Sequence, residues 1–320
     1  MRLAAFILSM LFLLGCVPAG QEEDFRIDAY FCPESDCEKV LTQNLLQASS
    51  MIHCAFYDID DPELIDALTQ KQRSIEVRIV TDGDNDKGQL LNLTYEADDE
   101  NQLMHNKFCT IDGKRVVTGS LNPTESGAGV NNNNLLLIDS PILAGIYEEE
   151  FRELWNRDFG EGQRTRMKRV SRNSSWIQVH FCPEDECGEY LVREILQAKD
   201  AIYFLTFAFT DERVADAVLM SDAKDVRGVF DTFQAGQRYS QYRRLRGFGL
   251  DVLLDKNPGL MHHKVFIIDN ATVVTGSFNP TSAADSRNDE NMVIIRDQDI
   301  ARAFLEEFMR IEEKASGSRG

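Results

Sequence analysis

One pattern of residues occurs twice in this 320-residue chain, and it constrains the fold more than any other feature. Residues 103–124 read LMHNKFCTIDGKRVVTGSLNPT, and residues 260–281 read LMHHKVFIIDNATVVTGSFNPT. Both contain H-x-K-x4-D-x6-G-S-x-N at identical spacing. Two copies of one spaced pattern predict two similar scaffolds, each of which delivers one copy.

Each copy has the pattern of a β-hairpin. The runs FCTID and RVVTGS, like VFIID and TVVTGS, are apolar and separated by turn residues. Alternation along a strand places His262 and Lys264 on one face, and Ser277 and Asn279 share a face for the same reason. An imidazole can act as nucleophile or acid, and the other three groups can hold phosphate oxygens. Cleavage of a phosphodiester through a phosphohistidine needs two histidines, which two copies supply.

Both segments match the HKD motif, and the chain is identified on them as a member of the phospholipase D superfamily. It resembles the compact branch that includes bacterial secreted endonucleases and the mitochondrial cardiolipin hydrolase, because each repeat spans only about 140 to 150 residues. The resemblance implies an α/β fold of two tandem phospholipase D-like repeats. Each repeat is expected to be a mixed β-sheet flanked by helices, and the two are expected to pack as pseudo-twofold mates.

The resemblance also implies that the two motifs converge on one phosphate. The residues expected to form the catalytic set are His105, Lys107, Asp112, His262, Lys264 and Asp269. Those expected to bind the phosphate oxygens beside the two lysines are Ser120, Asn122, Ser277 and Asn279. In the superfamily the motif aspartate lies away from the phosphate and organises the fold locally. This chemistry requires no metal and no cofactor.

The two repeats differ at the residue 28 positions after the motif histidine, which is Asn133 in the first and Glu290 in the second. Members of the superfamily carry a glutamate or an amide near here that hydrogen-bonds a catalytic imidazole. A carboxylate raises the pKa of a histidine and suits an acid, whereas an amide suits a nucleophile. If each residue serves its own repeat, His105 attacks and His262 protonates, which is the usual order in single-chain relatives. If the partners cross, the pKa argument reverses.

The cysteines form a second repeated element. Residues 30–37 read YFCPESDC and residues 180–187 read HFCPEDEC, and each precedes a helix-like stretch. In an oxidising compartment we expect two local disulfides, Cys32 with Cys37 and Cys182 with Cys187. A zinc site built from all four cysteines is the alternative. Two further cysteines lie in apolar runs and are expected to be buried thiols, Cys54 and Cys109.

The N-terminal residues 1–20 are typical of an export signal. An apolar run, LAAFILSMLFLLG, follows a single arginine and is too short to span a bilayer comfortably. The sequence LLGC resembles a lipobox, in which Cys16 would carry the lipid of a lipoprotein. An ordinary cleaved signal or an uncleaved anchor is the alternative. We therefore expect an exported protein, either secreted or held at a membrane.

The offsets between equivalent residues define the domain boundaries. Strands alternate with amphipathic helices in both halves, which favours an α/β sandwich. We assign residues 21–160 to the first repeat and residues 176–315 to the second. Residues 161–175 are polar and basic, and we expect them to form a solvated connection. A chain that holds both motifs has no need to dimerise, so a monomer is expected.

Charge and composition leave the substrate open between nucleic acid and phospholipid. The chain has 34 basic and 53 acidic residues, a net charge of −19, which disfavours broad adhesion to polyanions. One region, residues 231–250, interleaves arginines with aromatic residues, as a phosphate backbone with stacked bases or a lipid headgroup region would require. The sequence predicts a metal-independent phosphodiesterase that acts through a phosphohistidine. A noncatalytic membrane-tethered module that binds anionic polymer or lipid is the alternative.

Overall fold

The computed structural model describes residues 20–165 and 168–317. In the first half the elements are β1 (Gln21–Glu22), β2 (Arg26–Cys32), α1 (Cys37–Leu46), β3 (Met51–Phe56), α2 (Pro62–Lys71), β4 (Glu76–Asp82), a 3₁₀ turn (Gly83–Asn85), β5 (Tyr95–Asp98), β6 (Lys107–Ile111), β7 (Arg115–Gly119), α3 (Glu125–Gly129), β8 (Asn133–Asp139) and α4 (Pro141–Trp155). In the second half they are β9 (Arg169–Arg172), β10 (Ser175–Cys182), α5 (Cys187–Gln197), β11 (Ala201–Thr206), α6 (Glu212–Met220), β12 (Asp225–Phe230), α7 (Thr232–Ala235), α8 (Tyr242–Gly247), β13 (Asp251–Leu254), β14 (Lys264–Ile268), β15 (Thr272–Gly276), α9 (Ser282–Ser286), β16 (Glu290–Arg296) and α10 (Gln298–Ser316).

The two halves form two sheets with the same strand order. The first sheet runs β2-β8-β7-β6-β3-β4-β5, and the second runs β10-β16-β15-β14-β11-β12-β13 with β1 and β9 added at its edge. In both sheets the last three strands are parallel, and the other pairs are antiparallel except β1 with β9, which is parallel. The expected pair of mixed sheets flanked by helices is therefore confirmed.

The sheets face each other across one apolar core. Strand residues of both repeats, such as Phe108 and Val265, share this core with side chains of the long helices α4 and α10, among them Tyr147 and Phe304. The outer face of the first sheet packs on α1 and α2, and that of the second packs on α5 and α6. Because the large core belongs to neither repeat alone, the packing of the halves is fixed by the same burial that folds them.

The connection between the repeats contains more structure than the sequence predicted. Within residues 161–175, the segment Arg169–Arg172 forms β9, which pairs antiparallel with β10 and parallel with β1. Strand β1, which the sequence assigned to the first repeat, thus joins the sheet of the second. A backbone that pairs on both sides satisfies its hydrogen bonds without an apolar pattern, so composition alone did not reveal this strand.

Three disulfides link the six cysteines of the described chain. Cys32 bonds Cys37 and Cys182 bonds Cys187, with Cα–Cα distances of 5.6 Å and 5.9 Å, which confirms both predicted pairs. The prediction that Cys54 and Cys109 are free thiols is wrong, because they form a third disulfide. They face each other across the antiparallel strands β3 and β6, and this register places their Cα atoms 4.0 Å apart.

Among residues 20–165 and 168–317, no helix is long and apolar enough to cross a membrane. The predicted export signal and the predicted lipidation site, Cys16, lie outside the described residues.

Candidate active site

The two motif histidines meet where the repeats exchange backbone hydrogen bonds. The His105 N–H donates to the Asp289 carbonyl at 2.9 Å, and the His262 N–H donates to the Asn132 carbonyl at 2.9 Å. In return, the Asp289 N–H donates to the Leu103 carbonyl and the Asn132 N–H to the Leu260 carbonyl, both at 2.9 Å. The two pairs of hydrogen bonds are related by a pseudo-twofold axis. Each motif histidine therefore lies beside the start of β8 or β16 of the opposite repeat.

Each motif lysine is buried beside its histidine. Lys107 Nζ donates to the His105 carbonyl at 2.7 Å, and Lys264 Nζ donates to the His262 carbonyl at 2.8 Å. The exposed fractions of the two lysines are only 2% and 3%, so their ammonium groups face the shared site rather than bulk water. Two buried lysines that act on each other's charge form a strong anion site when both are protonated.

An aromatic ring at the end of β3 or β11 covers each pair. The Tyr57 ring lies 4.8 Å from the His105 ring and 5.0 Å from Lys107 Nζ. The Phe207 ring lies 4.8 Å from the His262 ring and 5.1 Å from Lys264 Nζ. The sequence analysis missed both rings. Their offset of 150 residues (207 − 57) is the same as that of the cysteine pairs, so the repeat alignment contained the signal.

The partners of the imidazoles cross between the repeats. His105 Nδ1 bonds Glu290 Oε2 at 2.8 Å, and His262 Nδ1 bonds Asn133 Oδ1 at 2.8 Å. The sequence identified both partner residues and left open which histidine each one serves. The structure settles that question in favour of the crossed arrangement, so an argument from the resting charge of each histidine now makes His105 the acid and His262 the nucleophile.

Hydrogen bonds fix the tautomer of His262. The Asn133 amide donates from Nδ2 to the Gly127 carbonyl at 2.9 Å, and its Oδ1 accepts from Ser120 Oγ at 2.9 Å. The oxygen of Asn133 therefore faces His262, whose Nδ1 must carry a proton. Nε2 is the nitrogen left to act on substrate.

The two motif serines orient the partner residues. Ser120 Oγ donates to Asn133, and Ser277 Oγ donates to Glu290 Oε2 at 2.5 Å. A hydroxyl has one proton, and in both repeats the histidine partner receives it. Both serines are fully buried. The structure thus places Ser120 and Ser277 against the residues that contact the imidazoles, and their binding of phosphate oxygens stays a prediction.

Burial dominates the electrostatics of the site. It lowers the pKa of Lys107 to about 7 and, together with the neighbouring ammonium, lowers that of Lys264 well below its usual range. Burial and the two lysines also lower the pKa of both motif histidines. For Glu290 burial raises the pKa to about 8, against the opposing effect of the lysines. A bound phosphodiester brings one negative charge, which favours protonated lysines and restores the charge balance.

The motif aspartates lie at the hairpin turns, away from the histidines. Asp112 accepts from the backbone N–H groups of residues 49–51 and from two serine hydroxyls, at 2.7–3.0 Å. Asp269 accepts from the N–H groups of residues 199–201. Each has a positive φ, 53° and 51°, as a type I′ turn requires. They hold the start of β3 and of β11, the strands that pair with the motif hairpins, which is a structural role.

The motif glycines permit a close backbone approach. Gly119 and Gly276 have φ values of 141° and 136°, and an added Cβ would lie 2.3 Å from a carbonyl oxygen of the neighbouring strand in each case. Any side chain there would displace the strand that carries Asn133 or Glu290. Each glycine therefore helps to position the residue that contacts a motif histidine.

The motif asparagines lie at the mouth of the site and differ in their partners. Asn279 Oδ1 accepts from the Ala208 N–H at 3.4 Å. Asn122 Oδ1 is buried and has no hydrogen-bond partner among the described residues. The side-chain amide of each asparagine remains a candidate donor to a phosphate oxygen.

The arginine-rich region lies beside the second asparagine. The Thr210 N–H donates to the Pro280 carbonyl, next to Asn279, and a cavity of about 570 Å³ here is lined by Thr210, Arg238, Tyr239 and Arg244. Arg244 pairs with an acidic residue, Asp216, of the same repeat. The aromatic residues of the region differ in exposure: Tyr239 is 68% exposed, Phe248 is 69% exposed and Tyr242 is buried.

A further polar network joins the sheets beneath the site, and the sequence analysis did not identify it. Thr118 Oγ1 donates to Asn291 Oδ1 at 2.7 Å, and Thr275 Oγ1 donates to Asn134 Oδ1 at 3.2 Å. These residues are fully buried or nearly so, and each bond crosses between the repeats. Hydrogen bonds between groups this deeply buried fix the relative position of the two motif hairpins.

Comparisons with known proteins agree with this architecture. A family model described as a cardiolipin synthase, PLD-like domain matches residues 41–155 and 191–312. The phospholipase D of Rickettsia conorii is 36% identical over 137 residues, which are 42% of this chain and 68% of that protein. The mitochondrial cardiolipin hydrolase of Homo sapiens is 38% identical over 126 residues, which are 39% of this chain and 50% of that protein. The crystal structure of a phosphatidylserine synthase from Haemophilus influenzae is similar in fold, with a TM-score of 0.67, 12% identity and coverage of 90% of this chain and 86% of that one.

Proposed function

Because this chain belongs to the phospholipase D superfamily and is a phosphodiester hydrolase, we propose that it acts through a phosphohistidine formed on His105, with a phospholipid as its substrate. One observation carries the proposed mechanism: the two motifs converge, so that two imidazoles and two lysines lie buried within range of one another's charge. A binding module has no need of two oriented imidazoles, whereas displacement at phosphorus needs both a nucleophile and an acid.

The carboxylate of Glu290 favours His105 as the nucleophile. Attack through Nε2 places a positive charge on the imidazole, and a carboxylate at Nδ1 stabilises that charge and holds the reactive tautomer. The charge of each histidine before the reaction, considered alone, leaves out this stabilisation of the positive charge that forms on His105 in the transition state. Burial lowers the pKa of both motif histidines, so this shift does not distinguish their roles, and the carboxylate beside His105 is the difference that does.

His262 is the proposed acid. Asn133 accepts its Nδ1 proton, so protonation at Nε2 yields an imidazolium that holds a transferable proton toward the substrate. In the first step His105 Nε2 bonds to phosphorus while the bond to the leaving oxygen breaks and that oxygen takes the proton from His262. In the second step His262 takes a proton from water, whose oxygen displaces His105. Lys107 and Lys264 stabilise the charge on the nonbridging oxygens.

Trapping the covalent intermediate tests this order. With a substrate labelled at phosphorus, denaturation of wild-type protein and of the His262→Ala variant in detergent at alkaline pH, where the P–N bond of a phosphohistidine survives, should leave label on the chain, and His105→Ala should abolish it. Peptide mapping should then place the label on His105. Label retained in His105→Ala and lost in His262→Ala would assign the nucleophile to His262 instead.

A phospholipid suits the charge of the molecule better than nucleic acid does. The net charge is −19, and the loop beside the first motif carries Asp84 and Asp86, so a polyanion would meet repulsion on that side. Nucleic acid remains the second candidate because Arg238 and the exposed ring of Tyr239 line a cavity beside the second motif.

A side-by-side turnover assay separates the two substrates. A fragment that begins at Gln21 should be incubated in EDTA with phospholipid vesicles and, separately, with single-stranded DNA. The double variant His105→Ala, His262→Ala is the blank. We expect release of headgroup or phosphatidic acid above the blank. Cleavage of DNA alone would make the protein a nuclease, and loss of all turnover in EDTA would overturn metal independence.

We also propose that the protein is exported and held at a membrane through a lipid on Cys16, and that it acts as a monomer. Three disulfides support an oxidising compartment. A monomer is supported by the presence of both motifs in one chain. Intact mass measurement of the mature protein, with and without Cys16→Ser, tests the lipid, and light scattering tests the monomer. An unmodified mature protein would refute the anchor.

A further inference from the structure

The loops that follow β3 and β11 border the site, and they differ in one charge. The equivalent positions are Tyr57 and Asp58 in the first repeat, and Phe207 and Ala208 in the second. In the second repeat the Ala208 N–H donates to Asn279 Oδ1, which joins this loop to the motif asparagine. The first repeat has a carboxylate where the second has a methyl group.

Two acceptor oxygens are left without donors in the first repeat. Asp58 Oδ1 and Asn122 Oδ1 are both buried, and neither has a hydrogen-bond partner among residues 20–165 and 168–317. A buried acceptor without a donor costs free energy, so such an oxygen indicates a group that is supplied from outside. At the equivalent positions of the second repeat, Ala208 has no side-chain acceptor, and Asn279 Oδ1 accepts a hydrogen bond.

These oxygens lie close to the phosphate pocket. Tyr57, which precedes Asp58, lies 4.8 Å from the His105 ring and 5.0 Å from Lys107 Nζ. Burial raises the pKa of Asp58, and Lys107 is one of two lysines that act against this rise, which places the carboxylate within the field of that ammonium. Asn122 belongs to the motif itself. The residue before Asp58 and the ammonium that acts on it thus both belong to the site that binds the phosphate.

We infer that Asp58 and Asn122 form a subsite for the primary ammonium of an amino alcohol esterified to the phosphate, as in ethanolamine phosphodiesters. This inference rests on the proposed function. An ammonium can donate one N–H to each oxygen and face the ring of Tyr57. The two free hydroxyls of a glycerol ester can donate to both oxygens but carry no charge, and a quaternary ammonium has no N–H at all. The negative charge of Asp58 adds a preference for a cation.

The experiment compares headgroups across matched variants. Wild type, Asp58→Asn and Asp66→Asn should be assayed on glycerophosphoethanolamine, glycerophosphocholine and glycerophosphoglycerol. Asparagine keeps the shape of Asp58 and removes its charge, and Asp66, an exposed residue of α2, serves as the control. We expect Asp58→Asn to lower the ratio of kcat/KM for the ethanolamine ester over the glycerol ester by about tenfold to a hundredfold. The control should leave that ratio unchanged.

Three results would overturn the inference. The first is a ratio of kcat/KM for the ethanolamine ester over the glycerol ester that Asp58→Asn leaves unchanged. The second is an equal kcat/KM of wild type for the choline and ethanolamine esters, and the third is a change of similar size in Asp66→Asn. Vesicles of phosphatidylethanolamine should be assayed beside the soluble ester. A higher kcat/KM on the vesicles would mean that the substrate is a lipid, and a higher kcat/KM on the soluble ester would mean that it is a free diester.

Binding separates failure of the subsite from failure of the proposed function. If no ester is cleaved above the His105→Ala, His262→Ala blank, the proposed function fails. In that case calorimetric titration with phosphoethanolamine and with methyl phosphate still tests whether Asp58 and Asn122 bind the ammonium group. Wild type should bind phosphoethanolamine about tenfold or more tightly than Asp58→Asn does, with a smaller difference for methyl phosphate. Equal affinities would refute it.

Discussion

Glu290 and Asn133 occupy equivalent positions, and the proposed roles of the two histidines rest on the difference between an acid and an amide. Both residues were found from the sequence by their distance from the motif histidine. Which imidazole each one contacts depends on how the halves pack, and no local pattern encodes that packing. The crossed arrangement follows from the shared strand ends at Asp289 and Asn132, which are contacts between residues far apart in the chain.

Replacement of Glu290 by glutamine should show which step depends on His105. We expect kcat/KM to fall by about 10² to 10⁴, as for loss of the carboxylate in a triad. The carboxylate raises the pKa of the His105 imidazole, so its removal should move the acidic limb of the pH profile to lower pH if His105 must be unprotonated to attack. A shift of the basic limb alone would make His105 the acid. The reciprocal variant Asn133→Asp should raise the pKa of the basic limb.

Asp112→Asn should reduce stability without direct damage to the active site. Although burial opposes it, hydrogen bonds from Ser49 and its neighbours lower the pKa of Asp112. A lowered pKa gives stability that is complete above the unfolded value of about 3.9 and is lost as pH falls through the folded pKa. We expect a loss of about 1–3 kcal/mol near pH 7, measured by urea unfolding, that shrinks below about pH 4. Asp66→Asn, exposed on α2, should cost little; an equal loss there would contradict the assigned role.

At the scale of elements, the hairpins could be predicted because turn residues and apolar runs are local signals. The disulfide between Cys54 and Cys109 could not, since it depends on the register of two strands separated by 55 residues. At the equivalent place in the second repeat, Phe204 and Phe266 face each other on β11 and β14 with ring centroids 5.6 Å apart. A covalent bond and an aromatic pair thus join the same two strands in the two repeats.

The three disulfides should contribute unequally to stability. The bridge between β3 and β6 closes a loop of 55 residues, whereas the bridge from Cys32 to Cys37 spans 5. Chain entropy predicts that loss of the first costs about 4 kcal/mol and loss of the second about 2 kcal/mol. Urea unfolding of Cys54→Ala, Cys109→Ala and of Cys32→Ala, Cys37→Ala, without reductant, measures both. All four cysteines are fully buried, so the cavity left behind is matched, and equal losses would show that loop length is not the cause.

At the scale of the molecule, the two repeats supply one site and one core. The sequence predicted convergence from the duplicated motif, because half a site cannot complete the reaction. It did not reveal that β1 joins the sheet of the second repeat. Nor did it reveal the hydrogen bonds among Thr118, Asn134, Thr275 and Asn291, which form only when the sheets meet. Polar residues inside apolar strands carry no periodic signal, so their partners emerge only from the tertiary structure.

Net charge should govern how the enzyme approaches its substrate. A protein of net charge −19 is repelled by an anionic surface, and salt screens that repulsion over about 10 Å at 0.1 M. We expect KM on phosphatidylglycerol vesicles to fall several-fold between about 0.05 M and about 0.5 M salt, and KM on phosphatidylethanolamine–phosphatidylcholine vesicles to change little. A KM that rises with salt would mean that a local cationic surface controls encounter. The variant Arg238→Ala, Arg243→Ala would then identify that surface, because it should abolish the rise if the arginine-rich region is responsible.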